Sequence, residues 1–258
     1  VETLAPELRD LSLRLRKMRY RLKTASSQTG GALSFACQHA ITTTVSPWIV
    51  RALTDRNDAS VRVQSSNQDE CMMLLLSGEV DFVVMYTLPG AQTALFTLAF
   101  EALILGSDTL IPVCAPALRH LALSNQIPGI SYPSDVFLGQ IFDRDIAPRL
   151  KADVNIATKA ETALTLAAYE FALGGIGVAW LPRSLVSDSI AKGLLISLED
   201  QLPAQALEIR AFRLVEAQNM RSDAIWHDIL TDIELPADLK RLPDVPAGFV
   251  EPVERAEK

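Results

Sequence analysis

Apolar residues recur along the chain with two different spacings, and the first of these predicts a helix. Near the start, the spacing alternates between four and three positions, at Leu4, Leu8, Leu11, Leu15, Met18 and Leu22. Such a heptad seam is typical of a helix that pairs with a second helix. A helix packed on its own domain favours a period of 3.6, and three heptads are compatible with both arrangements. We predict a linker and dimerisation helix over residues 1–25.

After residue 31, short β-rich runs alternate with helical stretches. The pattern predicts strands at 33–37, 61–65, 80–86, 95–105, 110–115, 130–132, 153–157, 177–180, 194–198 and 206–214. It predicts helices at 45–55, 68–77, 136–151, 161–173, 183–192 and 222–234. A turn at Gly106-Ser107-Asp108 separates the strands 95–105 and 110–115. This alternation indicates an α/β fold of two Rossmann-like lobes with a cleft between them.

Composition excludes two broad classes of protein. With 49% hydrophobic and 21% charged residues, the chain is globular rather than disordered. The richest apolar run, 95–105, contains Glu101 and is shorter than the roughly 18–20 residues that a membrane-spanning helix needs. We therefore expect no membrane association. Residues 236–258 hold four prolines without periodicity, which predicts a flexible tail.

The three cysteines, Cys37, Cys71 and Cys114, cannot all pair internally, and their spacing is not that of metal ligands. Unpaired thiols are typical of a reducing, cytoplasmic location. Cys37 and Cys114 fall in predicted strands, so we expect them in the core. Cys71 lies near the start of a predicted helix, where a thiolate is favoured, and a redox role is the alternative to a core position there.

The net charge of −7 is unevenly distributed. Residues 1–25 carry seven basic and three acidic residues, a net charge of +4, which leaves −11 on the remainder. An acidic body of this kind repels a phosphate backbone. We therefore expect no DNA contact from the body of the chain.

Hydroxyl and amide side chains cluster where the predicted strands end and helices begin. The candidate ligand contacts are Thr42, Thr43, Thr44, Ser65, Ser66, Asn67, Ser131, Tyr132, Ser134, Lys159, Glu161 and Thr162. In open parallel sheets, ligands bind beyond the carboxyl ends of the strands, next to helix N-termini. Ordinary helix capping is the alternative role for each cluster, but four clusters at four strand ends favour a cleft for a polar or anionic small molecule.

Sequence motifs do not indicate catalysis. The three histidines, His39, His120 and His227, lie in no metal-binding or nucleophile motif, and the glycine-rich run at 174–177 is not followed by the lysine of a phosphate loop. His39 stands beside a predicted helix start, where it could line the cleft. We expect a binding protein rather than an enzyme, with no cofactor and no metal.

Several segments, taken in order, resemble the effector-binding domain of LysR-type transcriptional regulators. They are the leucine-rich helix with its basic residues, then LLLSGEVDFVVMY, LIPVCAP and ALGGIGVAWLP. The last is the most specific, because Gly175 and Gly177 permit a tight approach of helix to strand. Within the family, QHAITTTVSP, PVCAP and GVAWLP are most similar to the hypochlorite-responsive subgroup.

The resemblance implies a periplasmic-binding-protein-like fold of type 2 that follows the linker helix. Lobe one would comprise residues 30–115 and 205–235, and lobe two residues 116–204. Ala115 and Pro116, at the crossover between lobes, join the expected effector contacts. The resemblance also implies a cytoplasmic homodimer or homotetramer that contacts DNA only through an N-terminal winged helix-turn-helix, which these 258 residues do not contain.

A periplasmic solute-binding protein is the alternative, because it shares the two-lobed architecture. The heptad helix and the three thiols count against it. An export signal upstream would support the transport alternative, whereas a winged helix-turn-helix there would support the regulator.

Changing Leu11 and Leu15 to serine tests the predicted pairing helix. If the heptad seam joins two chains, the double variant shifts toward monomer in sedimentation velocity, because two seam positions lose their apolar contacts. An unchanged mass would mean that the seam packs elsewhere.

Overall fold

The computed structural model describes residues 33–56, 60–90, 99–122 and 124–215, together with Trp226, Ile233, Leu235, Pro236 and Leu239. Apart from those five single residues, the predicted helices 1–25 and 222–234 and the predicted tail 236–258 lie outside the described residues. None of the described helices is both long and apolar enough to cross a membrane.

The strands form one mixed sheet. They are β1 (Leu33–Gln38), β2 (Val61–Ser66), β3 (Phe82–Thr87), β4 (Phe100–Cys114), β5 (Gln126–Ser131), β6 (Asn155–Glu161), β7 (Val178–Pro182), β8 (Ile196–Ser197) and β9 (Gln205–Leu214). Their order is β2-β1-β3-β9-β4-β7-β5-β6, with β8 beside β4. Two parallel clusters, β2-β1-β3 and β7-β5-β6, are joined through the antiparallel strands β9 and β4. The predicted tandem α/β arrangement is confirmed.

The helices follow the strands as expected for crossover connections. They are α1 (Ser46–Arg56), α2 (Gln68–Leu76), α3 (Arg119–Ala122), α4 (Phe137–Ile141), α5 (Thr165–Leu173) and α6 (Arg183–Ala191). The predicted helix 136–151 is divided: α4 runs into a π turn at Phe142–Ile146 and then a 3-10 turn at Ala147–Arg149. Pro148 lies in the 3-10 turn, where it prevents a return to α-helix because proline lacks the N–H that the i−4 hydrogen bond requires.

The prediction of two strands around a Gly106-Ser107-Asp108 turn was wrong. Residues 100–114 form the single strand β4, which pairs with β9 along most of its length and shifts register between Ile104 and Gly106. A Cβ at Gly106 would stand 2.2 Å from the carbonyl oxygen of Leu239, so the glycine serves a close approach of the C-terminal part of the chain. A glycine with polar neighbours is typical of a bulge as well as of a turn.

Glu101 interrupts the apolar run because it anchors another part of the chain. Its carboxylate accepts from Arg213 of β9 at 2.8 Å and from the indole N–H of Trp226 at 2.8 Å. The Arg213 guanidinium also lies 4.9 Å from the centre of the Trp226 ring. Polar residues of β4 and β9 thus hold Trp226, which is itself fully buried.

All three cysteines are free and buried. Cys37 in β1 and Cys114 in β4 are core residues, as predicted. Cys71 in α2 is equally buried, and desolvation raises the pKa of its thiol to about 12. A protonated thiol without solvent access is a poor nucleophile, so the burial of Cys71 favours the core position over the redox alternative.

Gly175 and Gly177, which precede β7, are required for different reasons, and alanine substitutions distinguish these reasons. A Cβ at Gly177 would lie 2.7 Å from the carbonyl oxygen of Pro128 in β5, so the close approach is between strands. A Cβ at Gly175 would make only an ordinary contact, with Ala115 Cβ at 3.9 Å, but the backbone there has a φ of +71°. We expect Gly177→Ala to lower the free energy of unfolding by about 2–3 kcal/mol, and Gly175→Ala by about 1 kcal/mol, in urea titrations. The reverse order would contradict this packing.

Candidate functional site

A cleft lies between the two parallel clusters. Its walls are Gln38, His39, Ala40, Asn67, Gln68, Tyr132, Val136, Phe137, Leu138, Ala163 and Thr165. The first five come from the end of β1 and the start of α2. The other six come from the segments that follow β5 and β6 and lead into α4 and α5. The empty space, including the open mouth, is about 260 Å³. Both clusters therefore contribute to one site beyond the strand ends.

Only some of the predicted contacts belong to this cleft. Asn67 and Tyr132 line it directly. Thr42 and Ser65 stand one step behind, since Ser65 Oγ lies 2.8 Å from His39 Nδ1 and 2.7 Å from Thr42 Oγ1. These four residues are the part of the prediction that the fold brings together.

The remaining predicted residues lie elsewhere or serve local structure. Thr43, Ser134, Lys159 and Glu161 are exposed, and Ser66, Thr44, Ala115, Pro116, Ser131 and Thr162 are not among the lining residues. Lys159 and Glu161 lie within β6 because this strand continues past its predicted end at 157. Ser131 Oγ contacts Thr158 Oγ1 at 2.8 Å, and Thr162 Oγ1 accepts from the N–H of Leu164 at 3.1 Å. The Thr162 contact closes a local turn ahead of α5 and is not a helix cap, because the N-cap of α5 is Leu164.

Gln38 and Gln68 were missed, and both are oriented by the backbone of Tyr86 in β3. The Tyr86 N–H donates to Gln38 Oε1 at 3.1 Å, and Gln68 Nε2 donates to the Tyr86 carbonyl at 3.3 Å. An N–H only donates and a carbonyl only accepts, so these partners fix both amide orientations. Gln38 keeps its amide N–H groups for other partners, and Gln68 keeps its amide oxygen. The one signal in the sequence was a glutamine ending an otherwise buried strand.

The Tyr86 side chain reaches a buried carboxylate. Its hydroxyl donates to Asp108 Oδ2 of β4 at 2.6 Å, and the Ser184 hydroxyl of α6 donates to the same oxygen at 2.6 Å. The N–H groups of Thr109 and Ser184 donate to Oδ1 at 2.7 and 3.3 Å. Burial raises the pKa of Asp108 above its ordinary value of 3.8, although each of these donors opposes the shift. The network joins β3 and β4 to the start of α6.

Tyr132 carries a polar atom that the described residues do not satisfy. Its side chain is 9% exposed, and its hydroxyl is buried without a hydrogen-bond partner among them. Burial raises the pKa of the phenol well above its usual range. The nearby Thr165 side chain offsets part of that rise, although the two side chains do not have the geometry of a hydrogen bond. A buried hydroxyl without a partner costs about 1–3 kcal/mol, so Tyr132 is a candidate for pairing with a ligand in the cleft.

Among the described residues that line the cleft there is no lysine, arginine, aspartate or glutamate. Two helices start at the cleft, α2 with Gln68 and α5 with Thr165. Helix N-termini favour acceptor atoms and partial negative charge. Within the described part of the chain, no group of three His, Cys, Asp or Glu side chains has the arrangement of a metal site. The chemistry available here is hydrogen bonding and dipolar attraction.

Comparisons with known proteins agree with this architecture. Residues 26–226 match the family described as LysR substrate binding domain. Over 227 residues the chain is 20% identical to the Escherichia coli (strain K12) HTH-type transcriptional regulator YjiE, a match that covers 86% of this chain and 72% of YjiE.

Solved structures show the same fold. The full-length structure of HypT from Salmonella typhimurium, a hypochlorite-specific LysR-type transcriptional regulator, aligns with a TM-score of 0.66 at 21% identity, over 89% of this chain and 77% of that one. LysG from Corynebacterium glutamicum with bound effector Arg gives a TM-score of 0.64 at 18% identity, over 93% and 79%. The predicted two-lobed fold and the likeness to the hypochlorite-responsive subgroup are confirmed.

The Asp108 network predicts a pH-dependent contribution to stability. A carboxyl whose pKa is raised on folding stabilises the protein below its ordinary pKa, and that contribution is lost as the pH rises through the folded-state pKa. In urea titrations, the wild type should exceed Asp108→Asn most at acidic pH, and the gap should narrow as pH rises. Asp108→Ala should cost about 3 kcal/mol or more, because four donors lose their acceptor. A gap that widens with pH would contradict the assignment.

Proposed function

Because the chain belongs to the LysR substrate binding domain family, we propose that it senses a small effector in this cleft as part of a transcriptional regulator. The observation that carries the proposal is the buried, unpartnered hydroxyl of Tyr132 in a cleft walled by both parallel clusters. A ligand that pairs with this hydroxyl would relieve a cost already present in the free protein.

The cleft favours a small polar effector. Even with its open mouth, the cleft encloses only about 260 Å³ of empty space. The free amide N–H groups of Gln38, the Tyr132 hydroxyl and the start of α5, which no side chain caps, offer donors, and the Gln68 oxygen offers an acceptor. LysG holds an arginine, but no carboxylate lines this cleft to receive an ammonium or guanidinium group. The lining supports a different class of effector here.

Sensing follows from the division of the site between the clusters. A ligand that contacts Gln38 on one wall and Tyr132 on the other interacts fully only when the walls are close, so it favours the closed arrangement. Coupling of this kind is typically about 1–3 kcal/mol. In a homodimer or homotetramer joined through residues 1–25, closure would reposition the subunits and, through them, DNA-binding domains of winged helix-turn-helix type.

The alternative of a periplasmic solute-binding protein shares the two-lobed fold. The family match and the relatives described as transcriptional regulators favour the regulator. The same relatives favour a regulator over an enzyme.

A thermal-shift screen of small metabolites and oxidants tests the proposal with Tyr132→Phe. Removing the orphaned hydroxyl should stabilise the free protein by about 1 kcal/mol and weaken effector binding about tenfold, since the ligand loses one hydrogen bond. Tyr169→Phe is the matched control, because the Tyr169 hydroxyl contacts Ser189 Oγ at 2.7 Å and does not line the cleft.

Lys159→Ala separates this cleft from the site predicted at the end of β6. Lys159 is exposed and absent from the lining, so its loss should leave the effector-induced shift unchanged. An effector that stabilises Tyr132→Phe as strongly as the wild type, but fails with Lys159→Ala, would place the site at β6 instead.

A further inference from the structure

A chain of hydrogen bonds runs from the cleft into the core behind it. His39 Nδ1 lies 2.8 Å from Ser65 Oγ, which lies 2.7 Å from Thr42 Oγ1. Thr42 Oγ1 contacts the carbonyl oxygen of Gln38 at 3.2 Å and the Cys37 sulfur at 3.4 Å. These four contacts join five residues at the ends of β1 and β2, and the groups involved have few protons to donate.

The chemistry of each group assigns those protons. The Gln38 carbonyl only accepts, so the single hydroxyl proton of Thr42 is donated there. Burial raises the pKa of Cys37, so the thiol keeps its proton and donates to Thr42. Thr42 Oγ1 must then accept a hydrogen bond from the Ser65 hydroxyl, and this bond uses the single hydroxyl proton of Ser65. Ser65 Oγ can therefore only accept a hydrogen bond from the His39 imidazole. All four contacts are hydrogen bonds only when Nδ1 of His39 carries a proton.

We propose that His39 is held as the Nδ1–H tautomer, that its Nε2 is an acceptor for the ligand, and that the effector is a small uncharged molecule with an O–H or N–H donor. An undissociated weak acid is included in this class. The ligand assignment rests on the proposed function, whereas the tautomer does not.

The rest of the cleft agrees with an uncharged ligand. No lysine or arginine is among the described residues that line it, so a buried anion would lack the permanent counter-charge that either would provide. His39 Nε2 makes no hydrogen bond with the described residues, and an anion without a proton would face its lone pair. The Gln68 oxygen is a second acceptor, and the Gln38 amide and the Tyr132 hydroxyl are donors. A molecule with both donor and acceptor atoms satisfies all four groups.

The tautomer can be measured without any ligand. The chain has three histidines, so two-bond proton–nitrogen spectra of ¹⁵N-histidine-labelled protein resolve each ring, and His39→Gln assigns the signal of interest. Spectra are recorded at a mildly alkaline pH at which the ¹⁵N chemical shifts themselves show neutral rings. We expect the Nδ1–H pattern in the wild type and a shift toward Nε2–H in Ser65→Ala.

Ser131→Ala is the matched control, because it removes a hydroxyl at another strand end that contacts Thr158 rather than His39. It should leave the His39 pattern unchanged. An Nε2–H pattern in the wild type, or an unchanged pattern in Ser65→Ala, would overturn the assignment.

Two trigonal probes of similar shape test the ligand class. Boric acid remains mostly uncharged at the same mildly alkaline pH and carries three O–H donors, whereas nitrate is an anion that only accepts. We expect millimolar boric acid to shift the Nε2 resonance of His39 and nitrate to leave it in place. A shift with nitrate alone, or with neither probe, would overturn the ligand class.

The outcomes separate the two proposals. If no effector emerges from the thermal-shift screen while the Nδ1–H pattern is present, the function fails and the tautomer stands. If an effector depends on Tyr132 while His39 shows Nε2–H, the function stands and this inference fails.

Discussion

The buried carboxylate of Asp108 is the constraint on which the site depends. A carboxylate at 5% exposure is tolerated only if donors surround it, and Tyr86, Thr109 and Ser184 supply four. Those donors come from the end of β3, from β4 itself and from the start of α6. Satisfying one buried group therefore fixes three elements relative to one another, next to the cleft.

Tyr86 connects Asp108 to the residues that line the cleft. Its phenol is held by Asp108, while its peptide groups hold Gln38 and Gln68 in opposite orientations. Burial and the nearby carboxylate raise the pKa of the phenol far above its usual range, so it remains a donor. The cleft is thus organised by backbone groups and by hydrogen bonds to a buried carboxylate rather than by ion pairs. Such a lining distinguishes ligands by where they donate and accept.

The long antiparallel strands β4 and β9 connect the two parallel clusters. They pair from Phe100 to Leu110, and a bulge near Gly106 lets them bend where Leu239 comes close. Beyond Leu110, β4 pairs with β7 of the other cluster. The same strand therefore belongs to both halves of the sheet, which is why motion between the cleft walls would act on Asp108 and its partners.

The sequence by itself determined most of the elements and the class of fold. Alternating buried strands and amphipathic helices are local patterns, and Cys37 and Cys114 were placed correctly because their neighbours are apolar. It also placed Asn67 and Tyr132 in the cleft, since both follow strand ends. Tertiary structure decided the rest. β6 extends to Glu161 through pairing with β5, which carries Lys159 away from the cleft, and β4 is continuous because β9 lies beside it. Gln38 and Gln68 line the site because of Tyr86, many residues distant in the chain. Hydrogen bonds between distant residues leave no periodicity in the sequence, so only the folded chain reveals them.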